Sequence, residues 1–422
     1  MKKIRRSNQD SKKLFSLSKN IKFYVTISSV ALAVIGLFSL GYWLMSLLNY
    51  NKDNQSVNDP TVIQHSNITP SPTPSSSQSS APLVNPSIPA SSTPSSPISP
   101  VATNNRHSTY KVLSQSNFQP SSNLQKIVNS VIAYSQSKNL PTNALSVTLI
   151  DTNTSEIANY HGKIERYPAS VVKMFWLVAI YQKISIGETD ESSLKGAIEQ
   201  MIHKSDNQGA SQVLDTVTQT QSTPENLPEN ELKTQKQKRQ NLNQFFREAG
   251  YSRDINVSQK TFPIPQKNIM EPKGFDRQLR GENPGKPIRN KLTTDDAARL
   301  MYEIVNAQAV SPEISKKMRK LLSRNIDPIF WKKQPPNPVD FNPVESFFGE
   351  GLPSNKAEDI VSKAGWTSVS RQEVAFVKSK DGKTRYILAV FGDDSAYGKN
   401  KKVFPGISNL VYGQMRQLSR TN

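Results

Sequence analysis

Three short runs place side chains that could carry out acyl transfer. Ser170-Val171-Val172-Lys173 follows Tyr167-Pro168-Ala169 and opens the apolar run VVKMFWLVAI. Positions i and i+3 share one face of a helix, so a hydroxyl and an amine at that spacing approach each other. A serine at its ordinary pKa is a poor nucleophile, and a lysine stripped of water inside a domain is one way to activate it. The first turn of such a helix adds backbone N–H groups and a positive dipole end, useful to a developing oxyanion. Ser205-Asp206-Asn207, after IEQMIH, offers a hydroxyl that could relay a proton and an amide that could hold a substrate amide. The same three residue types are also the ordinary N-caps of helices. Lys363-Ala364-Gly365-Trp366-Thr367 sits in the strand-like EDIVSKAGWTS. There a lysine facing a cleft attracts a carboxylate, and Gly365 permits close approach of a ligand to the backbone. The bland alternative for that lysine is a solvated position on an edge strand.

These runs need elements to hold them. Hydrophobic periodicity predicts a helix near 123–138, strands near 143–151 and 155–160, and a helical block from Ser170 to about 217. Helices near 238–249, 293–308 and 311–323 follow, then strands near 358–365, 372–379 and 384–392 and a closing helix near 404–419. Strands at both ends with helices between them imply that the ends meet in one antiparallel sheet. The expected fold is α/β of the α+β type, an antiparallel sheet backed by helices with a mostly helical second lobe. The segment 251–290 is rich in Pro, Gly, Lys and Arg without a clear period and reads as a long loop.

The three runs, in this order and each on its expected type of element, resemble the S-x-x-K, S-D-N and K-T-G signatures of class A β-lactamases and penicillin-binding proteins. MIHKSDNQGASQVLD and LTTDDAARLMYEIV also look like helices of that family, and the resemblance spans about residues 123 to 419. It implies that Ser170 is acylated, that Lys173 and Ser205 shuttle protons, that Asn207 contacts the acyl side chain and that Lys363 binds the substrate carboxylate. It also implies an oxyanion hole from the backbone N–H groups of Ser170 and Trp366. The expected substrate is a β-lactam amide, hydrolysed after acylation; the alternative is a penicillin-binding peptidase acting on peptidoglycan stem peptides with slow deacylation. A rival of another class is a non-catalytic envelope-binding module of the same fold, favoured if Lys173 and Lys363 point away from Ser170.

Departures from the pattern matter. Ser170 and Ser205 lie 35 positions apart, closer than in typical class A enzymes. Ala364 stands where K-T-G has a hydroxyl, for which Thr367 or Ser368 would have to compensate. No E-x-x-L-N motif supplies a deacylating base between Tyr251 and Asn290; Glu271 is the better candidate and Glu282 the second, each also readable as a solvated loop carboxylate. Segments at about 218–237 and 325–355 look like insertions. His203, before the S-D-N run, reads as a packing or surface residue rather than half of a Ser–His dyad. No G-x-S-x-G elbow surrounds Ser170.

Composition bounds the rest. The chain has no cysteine and four histidines, His65, His107, His161 and His203. Disulfides, thiolate chemistry and Cys-ligated zinc are excluded, and an imidazole-rich metal site is nearly so; no cofactor is implied. The formal charge is +19, without an Arg-rich helix or basic-aromatic motif for nucleic acid. Residues 23–48 are uncharged and follow eight Lys or Arg within the first 22 residues. That pattern implies a membrane-spanning helix with a cytoplasmic N-terminus and everything after Asn49 outside, with a cleaved signal peptide as the alternative. A Pro-, Ser- and Thr-rich run over 49–122 reads as an extended tether between that helix and a domain at 123–422. The location implied is the plasma membrane, with the domain extracytoplasmic.

Overall fold

The computed structural model describes residues 110–114, 116–332 and 341–421. The membrane helix expected at 23–48 and most of the expected tether lie outside the described residues. Among the described residues no helix is long and apolar enough to cross a membrane.

In chain order the main elements are β1 (Gln119–Pro120), α1 (Ser122–Ser137), β2 (Leu145–Asp151), β3 (Glu156–Tyr160), α2 (Val172–Ser185), α3 (Glu191–His203) and α4 (Asn207–Thr218). There follow α5 (Glu229–Glu248), α6 (Thr294–Val305), α7 (Pro312–Leu322), β4 (Ala357–Thr367), β5 (Ser370–Ser379), β6 (Arg385–Gly392) and α8 (Val403–Thr421). Side-chain caps mark several starts: Ser121, Asp190, Asp206, Thr293 and Ser311 each accept a backbone N–H of the following turn.

The strands form one six-stranded sheet in the order β1-β3-β2-β6-β5-β4. β2 pairs with β6 over its whole length, Leu145 opposite Gly392 and Asp151 opposite Tyr386, so the two ends of the domain meet in the middle of the sheet. Pairing is antiparallel except at the edge, where β1 joins β3 in parallel. A strand with both faces covered is apolar throughout rather than alternating, and every residue of β2 is buried. One face packs on α1 and α8 through Val128, Val131, Ile407 and Val411. The other packs on α2, α3, α4 and α6 through residues such as Phe175, Met201, Leu214 and Met301. α2 is buried all round from Val172 to Gln182, the expected state of a helix with no polar face.

Two expectations need correction and a third gains detail. Residues 110–114 and 116–122 are not tether: Tyr110 is 3% exposed and its hydroxyl donates to Glu303 at 2.8 Å. Val112 bridges Ala309, and β1 extends the sheet. Composition misleads there because a few buried anchors outweigh many polar neighbours.

The helix expected at 238–249 begins at Glu229, inside the apparent 218–237 insertion. Its anchor is Arg239, fully buried, donating to Asp215 at 2.9 Å and to Thr220 at 2.7 Å.

The 251–290 segment is the long loop expected, held in place by buried residues and a short helix. Val257 to Thr261 are buried, Asn256 and Lys291 exchange backbone hydrogen bonds, and Gly274–Gln278 is helical. Lys260 ties the segment to α4 through Asp215 at 2.5 Å, and Asp276 lies 3.7 Å from the same amine. Such a buried group of charges holds only while each member keeps its partners.

Replacing Tyr110 by Ala should lower unfolding free energy by about 3–5 kcal/mol, read from urea denaturation of the full chain. A loss below about 1 kcal/mol would mean that this stretch does not belong to the folded unit.

Candidate active site

The first constellation lies at a junction. Ser170 is in a 3₁₀ turn, Ala169–Val171, and α2 begins at Val172. Ala169 has φ +44° and Ser205 has φ +55°, the left-handed region that non-glycine residues rarely adopt. Such strain persists only where surrounding structure enforces it. At Ser170 the enforcement comes from β4: a Cβ on Gly365 would stand 2.6 Å from the Ser170 backbone nitrogen and 3.0 Å from both Ala169 Cβ and Pro168 O. Strand and turn therefore touch backbone to backbone, and the next residue, Trp366, lines the same cleft as Ser170.

Beneath the cleft two lysines converge on one hydroxyl. Lys173, fully buried on α2, donates to the main-chain oxygen of Ser205, to Oδ1 of Asn207 at 2.7 Å and, more loosely, to Ser205 Oγ at 3.4 Å. Lys363, 1% exposed on β4, donates to Ser205 Oγ at 2.9 Å and to its neighbour's carbonyl, Ala364 O, at 2.8 Å. The three runs thus meet at Ser205.

Desolvation is the main electrostatic fact here. Burial lowers the Lys173 pKa to about 7, opposed by the nearby Asp206 carboxylate. Burial first, then the positive charges of Lys173 and Arg324, push Lys363 well below its ordinary value. Glu373, on β5 opposite Ala364, is raised by burial to about 8. Arg324 donates to Ile202 O at 3.1 Å and Ser362 O at 2.9 Å, tying the end of α3 to β4 beside this group.

The cleft has a volume of about 480 Å³. One wall carries Asn207, whose Nδ2 donates to Pro263 O at 2.7 Å and whose Oδ1 accepts from Thr261 Oγ1 at 2.7 Å. The other carries Trp366 and Thr367. The Trp366 indole donates to Gly398 O at 2.7 Å, and the Thr367 hydroxyl is paired with Ser370 Oγ at 2.8 Å. Tyr167, Phe262 and Phe341 complete an aromatic lining.

Sequence-predicted residues that come together are Ser170, Lys173, Ser205, Asn207, Lys363, Gly365, Trp366 and Thr367. Glu271 and Glu282 are exposed, and neither lines the cleft. His203 is exposed and also outside it. Ala364 is fully buried in the core.

Thr261, Phe262, Arg324 and Glu373 escaped the sequence reading. A charged residue inside the apolar run EVAFV was the available signal for Glu373. Nothing in the 251–290 composition singled out Thr261.

With this geometry in view, a family model described as "Beta-lactamase enzyme family" matches residues 123–415. The chain belongs to that family. No curated protein matches the sequence. Among solved structures, a β-lactamase from Sphaerobacter thermophilus DSM 20745 is 16% identical, with 70% of this chain and 98% of that one covered and a TM-score of 0.47. A variant of the class A β-lactamase of the last common ancestor of Gram-negative bacteria is 15% identical, with 69% and 99% covered and a TM-score of 0.47. A protein called PBP-A is 16% identical, with 71% and 98% covered, again at 0.47.

If Lys173 takes the Ser170 proton, acylation must climb with pH. Below about pH 7 the amine is protonated and cannot accept; above it the amine is free. The acylation rate of Ser170 should therefore rise between pH 6 and 8.5 with an apparent pKa near 7; a flat profile would remove Lys173 from that role. Gly365→Ala, which must push strand and turn apart, should slow acylation on the order of 100-fold, measured by stopped-flow with a chromogenic β-lactam.

Proposed function

We propose that this chain is a serine acyl-enzyme of the penicillin-binding type, acylated at Ser170 by a β-lactam or a peptidoglycan stem peptide and slow to release the acyl group. The observation that carries the reading is the pairing of two buried amines on Ser205 with a cleft whose described lining residues offer no free carboxylate. Asp206 is the one carboxylate among its described lining residues, and it is engaged: Oδ1 accepts the Gly209 N–H at 2.6 Å and Oδ2 accepts Gln266 Nε2 at 2.7 Å.

In the proposed cycle, neutral Lys173 takes the Ser170 proton as the hydroxyl oxygen attacks the amide carbon. The proton passes through Ser205 to the leaving nitrogen as the C–N bond breaks, and the acyl group remains as an ester on Ser170. Backbone N–H groups of Ser170 and Trp366 would meet the oxyanion. Asn207 would meet the acyl side chain and Lys363 the carboxylate. Water then needs a base to cleave the ester, and the wall that would have to supply it presents Thr261 and Phe262.

Rapid hydrolysis, that is, β-lactamase activity, is the second reading. It is supported by Lys173, whose pKa near 7 leaves a neutral amine able to activate water. We further propose that residues 23–48 anchor the protein in the plasma membrane with the catalytic domain outside, on the strength of that uncharged run and the basic residues before it.

The test is an intact-mass time course of the full chain mixed with a penicillin, beside Ser170→Ala. The expected result is an adduct on the parent that persists and is missing from the variant. Decay of the adduct as hydrolysed drug accumulates would favour the β-lactamase reading. Failure of the parent to form any adduct would defeat both in favour of a binding module.

A further inference from the structure

Hydrogen bonds fill the side-chain oxygen of Asn207. Oδ1 accepts from Lys173 Nζ at 2.7 Å and from Thr261 Oγ1 at 2.7 Å, and an amide oxygen has two lone pairs. Nδ2 donates to Pro263 O at 2.7 Å. A main-chain oxygen can only accept, so that bond fixes which end of the amide faces the lysine. Thr261 and Pro263 thus clamp the amide from one loop, and Lys173 meets an oxygen held in place.

The loop is itself fixed to the helix that carries Asn207. Lys260, the residue before Thr261, ties its buried amine at 2.5 Å to Asp215, about two turns along α4 from Asn207. Its main-chain oxygen accepts from Arg280 at 3.1 Å. Thr261 is only 6% exposed although it lines the cleft, and its hydroxyl is turned to Asn207.

Lys173 Nζ donates to Ser205 O and to Asn207 Oδ1. Those two bonds use both N–H groups of a neutral amine and leave its lone pair for the side of Ser205 Oγ, 3.4 Å away. Hydrogen bonds to the charged form favour that form, and an oxygen that already accepts from a hydroxyl is a weaker acceptor for an ammonium. The charged groups that act on Lys173 among the described residues are Asp206, at the start of α4, which favours the ammonium, and Lys363 on β4, which opposes it; Arg324 acts in turn on Lys363. Thr261 is neutral and reaches Lys173 only through the oxygen they share. We propose that Thr261 is a positioning residue for acyl transfer: by sharing Asn207 Oδ1 with Lys173, its hydroxyl keeps that amine able to accept a proton on the side of Ser205. The kinetic test rests on the acyl-serine reading, for in that cycle the proton comes from Ser170 and Thr261 keeps its own.

The variants are Thr261→Val, which keeps the shape and loses the donor, and Thr261→Ser, which restores it, each compared with the parent as the full chain. In Thr261→Val the oxygen is left wholly to Lys173 and the ammonium is favoured, so the midpoint of the acylation profile should move up by about one pH unit. Acylation by benzylpenicillin should then be about five-fold slower at pH 7 and nearly unchanged at pH 9, because only near its pKa does the amine lose much of its neutral fraction. Thr261→Ser should keep the parent's midpoint. A purely structural loss would slow acylation alike at both pH values; that result, or a midpoint in Thr261→Val that stays or moves down, overturns the role. The amine is also titrated directly by NMR of the chain isotope-labelled at the lysine ε-carbons, the Lys173 signal being identified by its loss in Lys173→Arg. A titration shifted upward in Thr261→Val but not in Thr261→Ser upholds the role even if no penicillin acylates the parent, the result that would sink the acyl-serine reading. Equal titration in all three proteins overturns it.

Discussion

Removing water from two amines at once is the constraint on which the site depends. Lys173 and Lys363 come from a helix and a strand far apart in sequence, and both end on Ser205. Two ammonium groups so close in a dry interior would repel strongly, and the environment resolves the conflict by lowering both pKa values rather than by adding a carboxylate between them. The result is two amines of lowered basicity, Lys173 with a pKa of about 7, with a hydroxyl joining them. Glu373, buried opposite Ala364, has its own pKa raised to about 8 by burial and does not line the cleft.

The backbone enforces this arrangement. Central helix α2 has no polar face, so its depth in the core is dictated by packing and carries Lys173 down with it. The sheet closes by pairing β2 with β6, and β4 follows in register. Gly365 then meets the Ser170 turn without a side chain between them. Left-handed Ala169 and Ser205 are the residual cost of joining these elements at fixed positions.

Much of this was legible in the sequence, for identifiable reasons. Period and capping signals located most helices and strands, and the meeting of the two chain ends in one sheet followed from element order. Ser170, Lys173, Ser205 and Lys363 stood out because each sits in a short run whose chemistry depends on local spacing. What escaped depended on contacts across long sequence distances. Tyr110 looked like tether because its partner, Glu303, is almost two hundred positions away. The anchoring of the 251–290 loop was not legible because Lys260 and Asp276 find Asp215 and Arg239 only after folding. Glu271 and Glu282 were named for being acidic in a suitable stretch, a property that says nothing about which way a loop turns.

The depressed Lys363 has a consequence for ligand binding. Burial holds the Lys363 pKa well below its ordinary value, and an anion beside it would favour the protonated form again. The proton would come from the surrounding solution. Were Lys363 to hold a carboxylate, binding of that ligand and of a hydrogen ion would be coupled. The heat of association would carry a contribution from whichever buffer gives up that proton.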